Sequence, residues 1–299
     1  MSNPRIGAHG RAKPLVRRLL SAVVAVCAMA FLISSPATAV ALPKPKPFVS
    51  FLDLECFRTD PYQPPATQLQ LRHLNPVLAT LPPETVTLGT REQLCVPVAK
   101  NGQHPPPDVA EFIKYVDLAC YRIQGASPNR GLVLSQLNPL LQDVPRHDAL
   151  LGAAQQLCVP VAKNDVIPPP EVLTLVSHID LKCHAITPNF AMNRGLGLEQ
   201  LNPVLVGQIP RHSVQVTNAR QLCVPVQKAG DQIPPEALDI VRWVDLEKFD
   251  IGTQTLRPVT LTLRHLNPVL ARLPVERATL SAATQLGVPV AKNGQIPPG

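Results

Sequence analysis

The feature that most constrains the fold is a set of three motifs that recurs four times in the same order. The first motif, Asp-Leu-x-Cys, begins at Asp53, Asp117 and Asp180, and it becomes Asp-Leu-Glu-Lys from Asp245. The second, Leu-x-Leu-x-x-Leu-Asn-Pro, begins at Leu69, Leu132, Leu196 and Leu261. The third, Gln-Leu-Cys-Val-Pro-Val, begins at Gln93, Gln156 and Gln221, and it becomes Gln-Leu-Gly-Val-Pro-Val from Gln285. Matching positions are 63 to 65 residues apart, so the sequence predicts four tandem copies of one unit.

Proline pairs mark the joints between these copies, and each favours a stiff, extended connection. They lie at 105–106, 168–169 and 234–235, and again at 297–298. We therefore divide the chain into an export signal, a short proline- and lysine-rich spacer and four copies, of which the last contains no cysteine. The predicted ranges are 1–39 for the signal, 40–47 for the spacer, 48–104 for copy 1, 105–167 for copy 2, 168–233 for copy 3 and 234–299 for copy 4.

Within a copy, the hydrophobic patterns predict mainly strand. Ile179, Leu181 and Cys183 alternate with polar residues, which is typical of a half-buried strand. The Leu-x-Leu motif predicts a second short strand before an Asn-Pro turn. The Leu-Cys-Val-Pro-Val motif predicts another, and its proline marks an edge or a strand end.

One short helix is predicted after each joint. Val109, Phe112 and Ile113 have the spacing of one helical face, and a proline with an acid in the first turn suits a helix start. Proline makes up 35 of the 299 residues, which disfavours long helices. The predicted fold class is therefore mainly β, with four small β-rich domains in tandem and one short helix in each.

Residues 1–39 have the three regions of an export signal. Five cations and no acid precede a stretch of 15 residues, Leu19 to Ile33, which is apolar except for Ser21. Ala37-Thr38-Ala39 then offers the small-x-small pattern that a signal peptidase accepts. The stretch is short for a membrane span, and an uncleaved anchor is the alternative. We expect the mature protein outside the cytoplasm, secreted or associated with the cell envelope, with no membrane span of its own.

Removal of this signal also removes most of the net positive charge. The whole chain has a net charge of +7, but the part that follows residue 39 has 23 cations against 21 acids. This balance gives no reason to expect nucleic acid as a partner.

The cysteines predict a set of disulfides. Outside the signal there are six, two in each of the first three copies, and copy 4 has lost both together, with Lys248 and Gly287 in their places. Joint loss within one copy predicts that the bonds lie within copies. The predicted bonds are Cys56–Cys95, Cys120–Cys158 and Cys183–Cys223. Small domains gain stability from such bonds, and export supplies the oxidising compartment. A metal site is the alternative, but the spacing has no C-x-x-C pair, and no metal or cofactor is expected.

An aspartate and a lysine recur in every copy. The aspartates open the first motif (Asp53, Asp117, Asp180, Asp245), and the lysines follow the third (Lys100, Lys163, Lys228, Lys292). They could form a repeated ligand site. The simpler interpretation is a solvent-facing aspartate and a surface lysine, because alternation turns the aspartate away from the Leu–Cys face of its strand.

A planar ring also recurs directly after the first cysteine position, as Phe57, Tyr121, His184 and Phe249. These rings could form an exposed binding stripe or pack against the next copy, and packing is the favoured interpretation.

The histidines differ among copies. His73 and His265 precede the Leu-Asn-Pro motif in copies 1 and 4, and His147 and His212 follow Pro-Arg in copies 2 and 3. No G-x-S-x-G elbow, H-E-x-x-H helix or P-loop occurs in the sequence. We therefore interpret these histidines as polar loop residues, and the sequence does not indicate an enzyme.

The frame of copy 2 resembles a domain of unknown function from secreted bacterial proteins, often found in tandem. Leu118-Ala119-Cys120-Tyr121 and Leu157-Cys158-Val159-Pro160, followed by Lys163, carry the resemblance. It covers about residues 48 to 295 and weakens in copy 3, where His184 replaces the tyrosine, and in copy 4, which lacks both cysteines. The resemblance implies an extracytoplasmic domain and carries over no activity or site residue.

Three functional hypotheses follow from the sequence. The favoured one is a non-catalytic exported module that acts as a spacer or binds a cell-wall polymer or surface protein through several similar copies. The alternative is an extracellular enzyme with its site in a cleft between copies. The third is a redox-labile protein, which requires exposed and strained disulfides.

Overall fold

The computed structural model describes residues 41–252 and 257–299, so the predicted export signal, residues 1–39, lies outside the described residues. The helices are α1 (Pro45–Ser50), α2 (Pro107–Ile113), α3 (Pro170–Val176) and α4 (Pro235–Val241). The strands are β1 (Leu54–Tyr62), β2 (Gln68–His73), β3 (Glu84–Thr87), β4 (Arg91–Lys100), β5 (Leu118–Arg122), β6 (Arg130–Gln136), β7 (His147–Lys163), β8 (Leu181–Thr187), β9 (Ala191–Gln200), β10 (His212–Lys228), β11 (Leu246–Gly252), β12 (Val259–His265) and β13 (Glu276–Lys292). All thirteen strands join one antiparallel sheet, and the described chain is mainly β.

Each helix begins at a proline. Proline is tolerated there because its fixed φ suits the first turn and its missing N–H has no helical partner at that position. The residues just before α2, α3 and α4 (Pro106, Pro169, Pro234) keep an extended backbone. The proline pairs at 105–106, 168–169 and 234–235 therefore lead directly into α2, α3 and α4, and α1 begins inside the predicted spacer, at Pro45.

Eight of the strands close into a barrel. The first strand of each copy pairs with the last strand of its own copy and with the last strand of the copy before it. β1 pairs in the same way with β13 of copy 4, and this pairing closes the ring in the order β1-β4-β5-β7-β8-β10-β11-β13. Closure matters because an open sheet would leave unpaired strand edges.

The remaining five strands lie outside this barrel; β3 pairs with β2 of its own copy, and the other four link copies that are not neighbours in sequence. β2 of copy 1 pairs with the end of β10 in copy 3, and β9 of copy 3 pairs with the end of β4 in copy 1. β6 and β12 link copies 2 and 4 in the same manner. The described residues of all four copies therefore belong to one compact unit.

Alternation along the barrel strands sends side chains into two different apolar clusters. In β1, Leu54 and Cys56 point to the barrel interior, where they join the apolar faces of the four helices, which contact one another in a ring and close one end of the barrel. Phe57 points outward into a larger cluster that includes the leucines of the Leu-x-Leu motifs, such as Leu69 and Leu71. Burial of one such leucine stabilises the fold by ~1.5–3 kcal/mol.

Candidate functional site

Three disulfides lie side by side inside the barrel. They join Cys56 to Cys95, Cys120 to Cys158 and Cys183 to Cys223, with Cα separations of 3.9, 3.9 and 3.8 Å. These are the pairings that the joint loss in copy 4 predicts. Neighbouring disulfides touch, since the Sγ–Sγ distance is 3.6 Å from Cys95 to Cys120 and 3.7 Å from Cys158 to Cys183. All six cysteines are buried, so they lack the exposure that the redox-labile hypothesis requires.

Lys248 and Gly287 take the fourth place in this arrangement. Their Cα atoms face each other in the strand register, as those of Cys56 and Cys95 do. A Cβ added at Gly287 would lie 3.6 Å from Lys248 Cγ, which is an ordinary van der Waals distance. The copy without a disulfide therefore places an amine among the interior side chains.

The Lys248 side chain crosses the barrel. Its Nζ donates hydrogen bonds to Gln93 Oε1 at 2.7 Å and to Gln156 Oε1 at 3.1 Å. Those glutamines stand on β4 and β7, each three strands away from β11 in the closed ring. Only a side chain directed through the interior can reach both.

The third motif supplies a glutamine from every copy at this level of the barrel. These residues, which we call the glutamine belt, are Gln93, Gln156, Gln221 and Gln285. Each stands two residues before the second cysteine position and so shares its inward face. Gln93 Nε2 donates to Gln285 Oε1 at 2.9 Å, and Gln156 Nε2 donates to Glu92 Oε2 at 2.8 Å. These bonds leave the oxygens of Gln93 and Gln156 directed at Lys248.

Two cavities open beside the glutamine belt, with volumes of about 470 and 360 Å³. They share three lining residues, Glu92, Arg122 and Gln156. Gln221 lines the larger cavity and is buried, and its Oε1 has no hydrogen-bond partner among the described residues. We call the principal polar residues that line the two cavities the polar mouth: Arg58, Glu92, Gln93, Arg122, Gln156 and Gln221.

The charge of the Lys248 amine depends on its burial. Burial lowers the pKa of Lys248 to about 7, although Glu92 acts in the opposite direction. Lys248 forms no ion pair with any residue in the described ranges, 41–252 and 257–299, unlike the other buried lysines. Near neutral pH, a large fraction of this amine is therefore uncharged.

The recurring aspartates and lysines are buried, and the prediction that they face solvent is wrong. Each is at most 3% exposed. They form four ion pairs, Asp53–Lys100, Asp117–Lys163, Asp180–Lys228 and Asp245–Lys292. The aspartate does lie on the face opposite the cysteines, as alternation predicts, but the outer strands and turns cover that face. None of the eight lines either cavity of the polar mouth.

An asparagine from another copy completes each ion pair. Asn138 of copy 2 donates from Nδ2 to Asp53 Oδ2 at 2.7 Å, and its Oδ1 accepts from Leu140 N at 3.0 Å. Asn75 of copy 1 donates in the same way to Asp245 of copy 4, at 2.7 Å. The other two contacts are Asn202 with Asp117 and Asn267 with Asp180. The asparagine of the Asn-Pro motif thus forms a hydrogen bond to another copy as well as a turn in its own copy.

Burial raises the pKa of the four aspartates, against the lowering effect of the paired lysine charge. It lowers the pKa of Lys100, Lys163 and Lys292, against the aspartate charge. Each member therefore depends on its partner, since a single buried charge left alone is unfavourable. These pairs hold the copies in place.

The recurring rings are also buried. Phe57, Tyr121, His184 and Phe249 are at most 1% exposed, and the two phenylalanines and the tyrosine belong to the outer apolar cluster. An exposed stripe is therefore not formed, and the rings pack against residues of several copies.

The interpretation of the histidines as loop residues is wrong, because they join strands of copies that face each other. His212 Nε2 lies 2.8 Å from Glu55 Oε1, and Gln200 Nε2 donates to Glu55 Oε2 at 2.8 Å. His147 and Gln136 hold Glu247 in the same arrangement.

The other two histidines lie in different polar clusters. His265 Nε2 lies 3.2 Å from Tyr121 Oη, and Arg91 Nη1 donates to Glu276 Oε2 at 2.5 Å in the same cluster. The ring of His73 lies 5.8 Å from that of His184.

The clusters differ in charge. The hydrogen bond to Glu55 raises the pKa of His212, whose other ring nitrogen faces Pro210 O at 3.0 Å. Both nitrogens therefore face acceptors, which suits an imidazolium. Burial and the nearby Lys182 lower the pKa of His73 to about 3, so that ring is neutral.

Comparison of the chain with protein-family models, with curated proteins and with solved structures gave no match. Among the described residues, none of the helices is long and apolar enough to cross a membrane. In the same part of the chain, no three His, Cys, Asp or Glu side chains are grouped so as to hold a metal ion.

The polar mouth was not predicted from the sequence, although one signal pointed to it. Lys248 replaces a cysteine at a position that alternation turns to the same face as Leu246. A charged residue at an interior position is unusual enough to mark a candidate site. The roles of Arg122 and Glu92 had no comparable signal, because they are ordinary polar residues on their strands.

Proposed function

We propose that this chain is an exported, disulfide-stabilised binding protein that acts outside the cytoplasm and holds its ligand in the polar mouth. The observation that carries the proposal is the barrel interior, which is closed by helices at one end and becomes polar at the glutamine belt, next to two cavities. Small-molecule sites commonly occupy the mouths of β-barrels. The buried disulfides suit an oxidising compartment, in agreement with the predicted export signal.

The asymmetry of the mouth supports one ligand in preference to four. The position two residues after the first cysteine position holds Arg58, Arg122, Ala185 and Asp250 in the four copies. The four quarters of the mouth therefore differ in charge even though the motifs recur. Because the copies also share one sheet, a single site formed by several copies fits better than a chain of independent modules or a spacer.

The chemistry of the mouth indicates the kind of ligand. Its residues are three amides, two arginines and a carboxylate, and the cavities of about 360 and 470 Å³ suit a polar group the size of one sugar or amino acid. A terminal group of a cell-wall polymer or of a surface protein would meet this description. The proposal assigns no nucleic acid partner, in line with the charge balance of the mature chain.

Binding to purified cell-wall material and to its soluble fragments tests the proposal. We expect retention of the mature protein and at least tenfold weaker retention of Arg122→Ala, measured by sedimentation with the polymer and by calorimetry with the fragments. Arg264→Ala is the matched control, because Arg264 is also exposed and paired with an acid, Asp165, but lies outside the mouth. Equal binding of both variants, or no binding to any fraction, would contradict the proposal.

Mass spectrometry of protein recovered from the culture medium tests export separately. We expect a mature N-terminus near Val40 and three intracopy disulfides before reduction. A full-length chain in the cell pellet, with free thiols, would contradict this part of the proposal.

A further inference from the structure

We propose that Lys248 is a reactive amine that captures small polar aldehydes as imines at the floor of the polar mouth. This inference rests on the proposed function, because the aldehyde enters through the same mouth. The residues, their contacts and their order in the barrel each contribute to the argument.

Lys248 differs from every other buried lysine in the described chain. Five others are buried, and each forms an ion pair with a carboxylate: Lys100, Lys163, Lys182, Lys228 and Lys292. The amine of a paired lysine contacts a carboxylate, whereas Lys248 has two neutral amides as its partners. Lys248 is thus the one of these six buried lysines whose nitrogen is not held by a carboxylate.

The contacts of Lys248 suit the neutral amine. An uncharged primary amine has two N–H donors and one lone pair, and the two donors match Gln93 Oε1 and Gln156 Oε1. The lone pair then remains for attack on a carbonyl carbon. Gln93 and Gln156 act as positioning residues, since they orient the nitrogen without touching the aldehyde carbon.

Access requires the movement of one side chain. Gln93 and Gln156 both bind the amine and both line the cavity of about 360 Å³. The amine is therefore one side-chain layer below the cavity, and rotation of either glutamine about its sp³ torsions opens the way. In the adjacent cavity, Arg122 can pair with a carboxylate on the aldehyde and Gln221 Oε1 can accept from a hydroxyl group.

The protonation state favours selective reaction. Burial lowers the pKa of Lys248 to about 7, so about half of the amines are neutral at pH 7. An exposed lysine with a pKa of about 10.4 has roughly a thousandfold smaller neutral fraction at the same pH. Lysines desolvated in this way are known nucleophiles towards carbonyl groups.

The reaction balances without a further reagent. Lys248 Nζ attacks the aldehyde carbon and forms a C–N bond, and the carbonyl oxygen becomes a hydroxyl group. One amine hydrogen moves to that oxygen, and loss of the resulting hydroxyl with the remaining amine hydrogen releases one water and leaves the C=N bond. No electron transfer is involved, and hydrolysis reverses the capture.

Reductive trapping tests the inference on the mature protein. The protein is incubated at pH 7.2 with glyoxylate, and separately with acetaldehyde, in the presence of cyanoborohydride, and modified lysines are located by peptide mass spectrometry. We expect Lys248 to be modified at least tenfold faster than the exposed Lys44 and Lys46, with a rate that rises through pH 7. The five paired lysines serve as internal controls and should remain unmodified. Glyoxylate should react faster than acetaldehyde, because Arg122 pairs with its carboxylate.

Two variants keep the test decisive. Gln93→Ala removes one of the two side chains that separate the amine from the cavity, and it should increase the labelling rate at Lys248. Lys248→Met should abolish the rapid labelling and leave only the slow labelling of exposed lysines. Modification of exposed lysines alone, in the unaltered protein, overturns the inference, and so does labelling of Lys248 that occurs only after Gln93→Ala. Either result leaves the proposed function standing if the Arg122→Ala and Arg264→Ala variants still differ in polymer binding.

Discussion

Copies 3 and 4 occupy equivalent parts of the barrel and share the same frame, yet they differ at the interior position. Both contain the buried Asp–Lys pair, Asp180–Lys228 in one and Asp245–Lys292 in the other. Copy 3 closes the interior with the Cys183–Cys223 disulfide, whereas copy 4 has Lys248 and Gly287. All four copies thus contain the buried ion pair, whereas the interior position varies, and the copy without a disulfide has a polar side chain there.

The largest expected effect comes from the shared frame. Lys228→Met in copy 3 and Lys292→Met in copy 4 each leave a buried aspartate without its partner, which should cost ~3–5 kcal/mol of unfolding free energy in both copies. Denaturant unfolding at pH 7 measures this cost, and Lys44→Met at an exposed position is the control. If the copy 4 variant lost far less than the copy 3 variant, the ion pair would not be an equivalent structural requirement.

The next effect comes from giving copy 4 the disulfide that copy 3 has. Lys248→Cys together with Gly287→Cys should form a fourth bond, because the two Cα atoms face each other in the same register as Cys56 and Cys95. A loop of this size is worth up to about 4 kcal/mol in the chain-entropy model. Non-reducing peptide mapping and unfolding curves check the bond and its effect. Each single cysteine variant is a control, and a double variant that keeps two free thiols would show that the position is not equivalent.

An effect of similar size, seen in the pH dependence of stability, is expected from the amine alone. Since the folded-state pKa of Lys248 is lowered to about 7 and the unfolded value is about 10.4, the unfolded chain binds one more proton between these values. Unfolding free energy should therefore rise with pH from about 7 to about 10, and the full penalty should be present below pH 7. Lys248→Met should remove this rise and stabilise the protein at pH 6. Parallel pH profiles for the two proteins would show instead that the amine stays protonated.

The smallest effect concerns the first residue of the last strand, which is His212 in copy 3 and Glu276 in copy 4. The folded-state pKa of His212 is raised through its hydrogen bond to Glu55. Its contribution should be fully present below the unfolded histidine pKa of about 6.5 and lost as the pH rises through the raised folded value. His212→Gln should thus cost about 1 kcal/mol at pH 5.5 and less at pH 9, measured by urea unfolding. His73→Gln is the contrast: that ring is neutral in the folded protein but protonated in the unfolded chain at pH 5.5, so its substitution should cost less at pH 5.5 than at pH 9.

Much of the local structure could be predicted from the sequence because it depends on neighbours in the chain. The spacing of Val109, Phe112 and Ile113 predicts α2, and the alternation around Cys183 predicts β8. The joint loss of both cysteines in copy 4 predicts the disulfide pairing. Each of these inferences uses a period or a coincidence within about one copy.

The candidate site could not be predicted in the same way, because it depends on contacts across copies. Alternation places Asp53 on the face opposite Cys56, but it does not say that an outer layer covers that face. Lys248 meets Gln93 and Gln156, which are 155 and 92 residues away in the chain. No local pattern relates residues so far apart.

The three motifs that recur four times, the strand and helix periods and the pairs of cysteines follow from spacing and covalent chemistry along the chain, so the sequence alone predicts them. Three features depend instead on the folded chain: β1 closes on β13, the Asp–Lys pairs are buried, and one lysine crosses the barrel. The physical reason is that ring closure joins residues through hydrogen bonds between distant strands. Closure divides each strand into an inner and a covered outer face, and this division gives the same residue types different roles.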